Sequence, residues 1–220
     1  SKPAYKSLFE SKSGIKVDKI NEVNKKSAKI HEALWLRIYE SIQNNPSNAV
    51  AISNYFKLVS KSVNHWHRFG AEIIGYSSNP KGNGKRLYEY EHAMPATASY
   101  MYLMDGALNG QEFKSTYSPV MDNFKLIALD TAENQKLNDA NLGSKMPEGW
   151  NTIDNKWWER YFNNQVNIDP SSIVDLKGKT FKNKFNIPSL TKGVLFSKNT
   201  SNAISFSRTN NESKGITVLD

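Results

Sequence analysis

The stretch DNFKLIALDTAENQKLNDANLG, residues 122–143, decides the fold because its hydrophobic pattern changes partway along. Its first nine residues place apolar side chains such as Leu126 on one face of a β-strand. The remainder predicts an α-helix, since Asp130 and Glu133 have the spacing of a capping box and Gly143 suits the helix end. The stretch therefore predicts a strand that passes directly into a helix.

Two segments upstream of this stretch have the pattern of strands. Residues 86–91 alternate within KRLYEYEHAMP and end before Pro95, and residues 68–76 precede a loop rich in Gly, Pro and Asn. We expect these two strands to pair with each other across that loop. Residues 96–110 predict a short helix. Its core side is expected to contain Met101, Met104 and Leu108.

The N-terminal part of the chain predicts two helices. Residues 18–45 have apolar side chains three, four and seven apart, and a second helix is expected to start at Ser47. These helices are expected to form a hairpin, and Trp35, Tyr39 and Tyr55 are expected to pack in the core. The inner face of the first is expected to contain Ile20, Val23, Ile30, Leu34 and Ile38, and that of the second Ile52, Phe56, Val59 and Val63.

The C-terminal part predicts an aromatic helix followed by a β-rich segment. Residues 154–164 predict a helix whose aromatic ridge packs against the preceding unit. After Pro170, short β-like runs alternate with polar turns, which indicates a small appendage or an extended arm. The ridge contains Trp157, Trp158, Tyr161 and Phe162.

Together these segments predict an α+β fold with an N-terminal helical hairpin, a central ββα unit with an inserted helix, and a small C-terminal β-rich extension. The expected divisions are a helical region at 1–64, a core with the aromatic helix at 65–165, and a polar extension at 166–220. A chain of 220 residues is long enough to bury such a core.

The composition excludes several classes of protein and of site. The chain has no cysteine, so disulfide scaffolds, zinc–cysteine fingers, iron–sulfur clusters and thiol catalysis are excluded. No long apolar window predicts a transmembrane helix, and the first residues lack the apolar core of a signal peptide. We expect a soluble cytoplasmic protein, with a virion as the alternative location.

The net charge of +8 is concentrated towards the two ends of the chain. Residues 1–60 have 10 basic and 5 acidic side chains, residues 61–164 have 11 and 12, and residues 165–220 have 8 and 4. Two basic arms suit nucleic acid, with DNA expected before RNA, because lysine contacts to phosphate give affinity independent of sequence. Solvated faces of a chain rich in lysine and asparagine are the other explanation.

A candidate site lies where the predicted strands and helix meet. Glu91 and His92 end one strand, and Asn134 and Asn138 share one helix face because they are four residues apart. Carboxylate and amide oxygens bind hard divalent cations, so Glu91, Asn134 and Asn138 are candidate ligands of Mg²⁺. His92 is the candidate general base that activates a water, since imidazole titrates near neutrality.

The segments EHAMP, residues 91–95, and NFKLIALDTAENQKLND, residues 123–139, resemble the HNH branch of the ββα-metal endonucleases. That family has an acidic residue and His before x-x-Pro and an Asn at the second strand. It then has an Asn or His on the helix, often followed closely by Lys. The resemblance covers residues 85–142, about a quarter of the chain.

The resemblance implies a metal-dependent endonuclease that hydrolyses phosphodiester bonds in DNA or RNA. Glu91 and Asn134 match the metal ligands of the family, and Asn138 shares the helix face of Asn134. His92 matches the general base, and Asn123 matches the residue that orients the loop carrying it. The candidate contacts to nucleic acid are Lys125 and Lys136.

Other functions stay open at this point. One is a non-catalytic structural or assembly protein, such as a phage virion component, and another is a nucleic-acid-binding module whose ββα unit has lost its chemistry. His65 and His67 are a further candidate metal pair, because residues two apart share one face of a strand. Convergence of Glu91, His92, Asn123 and Asn134 within metal-coordinating distance would favour the enzyme, and divergence of their side chains would argue against it.

Overall fold

The computed structural model describes residues 5–52, 54, 71–81 and 87–188. Its strands are β1 (Ile73–Ser77), β2 (Tyr88–His92), β3 (Leu126–Asp130) and β4 (Ile173–Asp175). Its helices include α1 (Tyr5–Ser13), α2 (Val17–Asn44), α3 (Ala96–Leu108), α4 (Phe113–Asn123), α5 (Thr131–Asp139) and α6 (Phe181–Lys184). The four strands form one mixed sheet. The predicted α+β class and helical N-terminal region are confirmed.

β3 lies inside the sheet, whose strand order is β2-β3-β1-β4. It runs parallel to β1 and antiparallel to β2, and all five of its residues are buried. A strand that is apolar on both faces favours an internal place, where both faces and both edges are covered. The predicted pairing of residues 68–76 with residues 85–92 is therefore wrong, because β3 lies between β1 and β2.

The strands β2 and β3 and the helix α5 form a ββα arrangement. β3 returns antiparallel to β2, and α5 begins at Thr131 directly after β3 and packs against both strands. The insertion between the strands contains α4 as well as the predicted helix α3. Residues 122 and 123 end α4, so the expected start of the strand at residue 122 is wrong. Pro119 inside α4 concealed this helix, because proline normally interrupts one.

The start of α5 matches the sequence prediction only in part. Asp130 Oδ1 accepts a hydrogen bond from the Ala132 amide at 2.7 Å, as an N-cap does. Glu133 does not complete a capping box, because its carboxylate accepts hydrogen bonds from the hydroxyls of Ser77 and Ser172. Glu133 therefore ties α5 to β1 and to the turn before β4.

The end of α5 comes earlier than Gly143. Asn141 adopts a left-handed conformation with φ 57°, and the Leu142 amide donates to the Leu137 carbonyl at 2.8 Å. This is the hydrogen bond of a Schellman motif with asparagine in the place where glycine is commoner. Gly143 follows the motif and belongs to the neighbouring loop.

The long helix α2 buries a different face from the one predicted. Val23, Ile30 and Leu34 are 55 %, 59 % and 43 % exposed. Trp35 and Tyr39 are buried, as expected, with Trp35 stacked on Tyr100 of α3. Large aromatic side chains bury more area than aliphatic ones, so they determine which face packs inward. The buried face contains Val17, Asn24, His31, Trp35, Tyr39 and Ile42.

The core side of α3 also differs from the prediction. Met101 and Leu108 are exposed and Met104 is half-buried. A Cβ at Gly106 would come within 2.8 Å of Tyr39 Oη, so the small residue permits close approach of α2. The buried residues of α3 are Ala98, Ser99, Tyr100, Leu103, Gly106 and Ala107.

His31 makes the stability of the fold dependent on pH. Its ring is buried with Nδ1 2.9 Å from Tyr117 Oη, and burial lowers the pKa of His31 from 6.5 to about 4. As the pH falls below 6.5, His31 therefore binds a proton in the unfolded chain before it does so in the folded chain. We expect the free energy of unfolding to fall by about 2–3 kcal/mol between pH 7 and about pH 4.5, measured by urea unfolding.

A His31→Phe variant is the control for this prediction. It keeps a buried ring without an ionisable group, so the difference between the two pH values should shrink by about 2–3 kcal/mol. An unchanged pH dependence in this variant would assign the acid sensitivity to other groups.

The residues after 165 join the same core as the sheet. β4 pairs antiparallel with β1, and Phe181 is fully buried beside Trp157. Gly75 in β1 leaves room for this ring, because a Cβ there would overlap it. Residues 166–188 thus differ from the expected appendage, since their apolar side chains complete a core cluster with β3 and α5.

The prediction of a helix at 154–164 is wrong, whereas the predicted packing of its aromatic side chains against the preceding unit is correct. Only a 3₁₀ turn, Trp157–Arg160, is present. Tyr161, Phe162 and Arg160 are fully buried, and the neighbouring Trp157 is buried as well. Bulky rings next to one another in sequence fill the core from an irregular turn, where a regular helix would direct half of them to solvent.

Several sequence predictions fall partly or wholly outside the described residues. Residues 49–52 are helical, as predicted after Ser47, whereas the rest of that helix lies outside them. The same holds for His65, His67 and the tail from residue 189 onward. Among the described residues, no helix combines the length and hydrophobicity needed to cross a membrane.

Candidate functional site

The candidate site lies at the end of β2, on the flank of α5 that faces this strand. Glu133 on the opposite flank bonds to Ser77 of β1, and Leu137 between the flanks is buried. The helical repeat places Asn134 and Asn138 on the side of Leu137 away from Glu133, towards β2. We call this the β2 flank of α5.

Glu91 extends from the sheet on the same side as α5. It pairs with Ile127, whose side chain belongs to the core cluster that contains Leu137 of α5. Ile127 lies three residues before Asp130, about 10 Å back along the strand. Asn138 lies seven residues beyond Thr131, also about 10 Å along the helix. Both distances start at the junction between β3 and α5. Glu91 and Asn138 therefore lie at about the same distance from that junction, on one flank of α5.

The Glu91 carboxylate is paired with a buried arginine. Arg160 Nη2 donates to Glu91 Oε1 at 2.6 Å and to the Gly143 carbonyl at 3.1 Å. A Cβ at Gly143 would overlap Asn138 Oδ1, so Asn138 borders the same group of atoms. The side chain of Glu91 is 23 % exposed, and its second oxygen makes no hydrogen bond to the residues that the structure describes.

His92 lies on the other face of the sheet. It pairs with Leu126, and adjacent residues of a strand point to opposite faces. Its ring stacks on Phe124 with 4.6 Å between ring centroids, and His31 of α2 stacks near the same phenyl ring. The structure thus separates His92 from Glu91, although they are neighbours in sequence.

Asn123 is fully buried at the end of α4. Its Nδ2 donates to the carbonyls of Pro119 and Thr152, at 2.8 and 2.9 Å. It therefore holds the loop after α5 against α4, and none of these bonds reaches the residues that follow His92. The Ala93 amide bonds instead to the Lys125 carbonyl at 2.8 Å.

The two candidate lysine contacts lie at different places around α5. Lys125 is half-buried beside the end of β2. Lys136 lies on the opposite flank of α5, where Nζ donates to the Asn167 carbonyl at 3.0 Å. It borders a polar cleft of about 460 Å³ together with Glu133, Asp169, Ser172 and Lys182. Two lysines and two carboxylates leave this cleft without a clear preference for an anion.

The side chains on the β2 flank offer oxygen atoms of the kind that hard cations bind, with Glu91 as the carboxylate. Among the described residues no group of three or more His, Asp or Glu could hold a metal ion. Mg²⁺ is commonly bound through one or two carboxylates while retaining waters and contacting substrate phosphates. The available oxygen of Glu91 and the amides of Asn134 and Asn138 match that requirement, and His92 does not take part in it.

Arg160 is the residue of the site that the sequence pattern did not reveal. It lies in an aromatic run whose pattern indicates core packing, although an arginine between Trp158 and Tyr161 cannot be buried without partners for its charge. Its partners are supplied by β2 and by the loop after α5, which are distant in sequence.

Comparison of the chain with protein-family models, with curated proteins and with solved structures finds no match.

Proposed function

We propose that the protein is a metal-dependent endonuclease of the HNH type that hydrolyses phosphodiester bonds in nucleic acid, with DNA as the favoured substrate. The observation that carries the proposal is the antiparallel pair β2 and β3 crossed by α5, with Glu91 and Asn138 level on one flank. The order of these elements is the one that the resemblance implies, whereas the His92 and Asn123 side chains that it also implies lie away from this flank.

The chain supplies binding and orientation in this proposal. Glu91 offers one carboxylate oxygen, and Asn134 and Asn138 offer amide oxygens, to a hydrated Mg²⁺. A bound Mg²⁺ stabilises the negative charge that develops on the scissile phosphate. His92, the predicted general base, lies on the other face of the sheet against Phe124, so it does not face this flank and no proton transfer is assigned to it.

His92→Phe tests the role of His92. Phenylalanine keeps a ring against Phe124 and removes the imidazole. Because the ring lies on the face of the sheet away from Glu91, we expect Mg²⁺-dependent cleavage of DNA to stay within about twofold of that of the unaltered chain. The free energy of unfolding should change by less than about 1.5 kcal/mol, because the buried volume is nearly kept. Cleavage rates and urea unfolding measure the two effects.

Tyr90→Phe is the matched control, since Tyr90 lies on the same face of β2, opposite Ala128. It should leave cleavage unchanged. If His92→Phe loses cleavage by about 10²-fold or more while Tyr90→Phe does not, His92 is the general base and its ring must reach the β2 flank when substrate binds.

A non-catalytic protein that binds nucleic acid or takes part in assembly is the second candidate function. The buried stack of His92 on Phe124 favours it, because the ring is 8 % exposed and already packed. A cytoplasmic location belongs with the first candidate and a virion with the second. Absence of cleavage of DNA and RNA with Mg²⁺, Mn²⁺ and Zn²⁺ would select the second.

In both candidates we expect binding to nucleic acid to be mainly electrostatic. Residues 168–187 contribute to the core, so a truncation that probes the C-terminal arm should remove only residues 189–220, with four basic and two acidic side chains. For each phosphate that the shortened chain no longer neutralises, the slope of log affinity against log salt on duplex DNA should flatten by about 0.9. Filter binding at several salt concentrations measures this, and affinity independent of salt would contradict it.

A further inference from the structure

We infer that Arg160 is a positioning residue for the proposed cation site: it holds Glu91 and the end of β2 so that one carboxylate oxygen remains available on the β2 flank of α5. The inference rests on the proposed function and adds to it a residue that the HNH resemblance does not include.

The guanidinium of Arg160 connects the two sides of the site. Its Nη1 donates to the His92 carbonyl at 2.6 Å, and its Nη2 donates to Glu91 Oε1 at 2.6 Å. Its Nε donates to the Leu142 carbonyl at 2.8 Å, and Nη2 also reaches the Gly143 carbonyl. One rigid group thus fixes the strand that carries Glu91 against the loop that follows α5.

The surroundings of Arg160 keep this group in place. The side chain is fully buried, and Tyr161 Oη donates to the same His92 carbonyl at 3.1 Å. Trp157 anchors the 3₁₀ turn among the rings of Phe181 and Phe185. The aromatic cluster therefore holds the arginine, and the arginine holds the carboxylate.

Orientation of a ligating carboxylate by a hydrogen bond to its second oxygen is a general feature of metal sites, and loss of such a partner commonly weakens metal affinity or activity by 10–100-fold. The planar fork of arginine presents several donors in fixed directions, whereas the ammonium of lysine is a single point of charge. Arg160→Lys therefore keeps the charge and removes the geometry.

The experiment measures Mn²⁺ binding to the full chain by electron paramagnetic resonance, with Mn²⁺ as a visible substitute for Mg²⁺ and without nucleic acid. We expect the dissociation constant of Arg160→Lys to rise by about 10–100-fold. Leu103→Ala is the control, because Leu103 is buried in α3 in a separate core cluster. This variant should lower stability and leave the dissociation constant for Mn²⁺ unchanged. Partial unfolding reduces the number of Mn²⁺ sites but does not weaken the sites of the molecules that remain folded.

If Arg160→Lys does not fold, Tyr161→Phe replaces it, since this change keeps the ring and removes a hydroxyl that contacts both Arg160 and the His92 carbonyl. Its dissociation constant should rise roughly threefold. A constant equal to that of the unaltered chain, in whichever variant folds, overturns the inference and leaves the proposed function standing. Absence of Mn²⁺ binding by the unaltered chain overturns the proposed function, and the inference with it.

Discussion

Glu91→Gln is expected to reduce Mg²⁺-dependent cleavage by about 10²–10⁴-fold while the fold is retained. Glutamine has the shape of glutamate and its amide oxygen can still accept the hydrogen bond from Arg160, so the end of β2 should stay in place. The substitution removes the negative charge that Glu91 brings to the β2 flank for binding a divalent cation. Initial cleavage rates across a Mg²⁺ titration measure the loss, and thermal unfolding checks the fold.

Glu89→Gln is the matched control for this experiment. Glu89 lies on the same face of β2 as Glu91, opposite Leu129, and two residues away from the proposed site. Its variant should cleave within about twofold of the unaltered chain, because the half-buried Glu89 lies two residues along the strand from Glu91 and keeps its shape as glutamine. Comparable cleavage by both variants would remove Glu91 from the proposal.

Arg160→Ala is expected to cause the largest loss of stability among these substitutions, at least about 4 kcal/mol. The change leaves the Glu91 carboxylate without its cation and the carbonyls of His92, Leu142 and Gly143 without the guanidinium donor. Removing one partner of a buried ion pair costs about 3–5 kcal/mol. The unsatisfied carbonyl of the buried Leu142 adds about 1–3 kcal/mol, whereas Tyr161 Oη still donates to the His92 carbonyl and Gly143 is exposed to water. A loss of this size approaches the whole stability of a typical domain, so we expect the variant to unfold at low urea.

Lys156→Ala provides the comparison, because Lys156 is an exposed cation next to the same 3₁₀ turn. Its free energy of unfolding should change by less than about 0.5 kcal/mol. A loss below about 1 kcal/mol in Arg160→Ala would show that water replaces the guanidinium easily, which its complete burial argues against.

The local sequence pattern was sufficient to predict the elements in which apolar residues repeat regularly or capping residues mark the ends. The helix at 17–44, the short helix after Pro95 and the passage from β3 into α5 were all predictable from spacing and capping residues. The helix α4 was not, because Pro119 interrupts the sequence signal of a helix whose stability comes from packing of Phe113, Tyr117 and Val120.

Periodicity could not tell which face of a helix is buried. In α2 the aliphatic residues Val23, Ile30 and Leu34 satisfy the helical repeat as well as the aromatic ones do. The aromatic face packs inward because α3 offers it a matching surface, with Tyr100 stacked on Trp35 and Gly106 leaving room for Tyr39. Such a surface exists only after the helices have come together.

By itself the sequence determined the order β2, insertion, β3 and α5, and the spacing that puts Asn134 and Asn138 on one helix face. Only the tertiary structure decided that Glu91 lies on the side of α5 and His92 on the other, because their directions follow from the register of β2 against β3. It alone brought Arg160 to Glu91 across 69 residues of sequence, since a buried guanidinium must find its acceptors wherever the packed chain provides them.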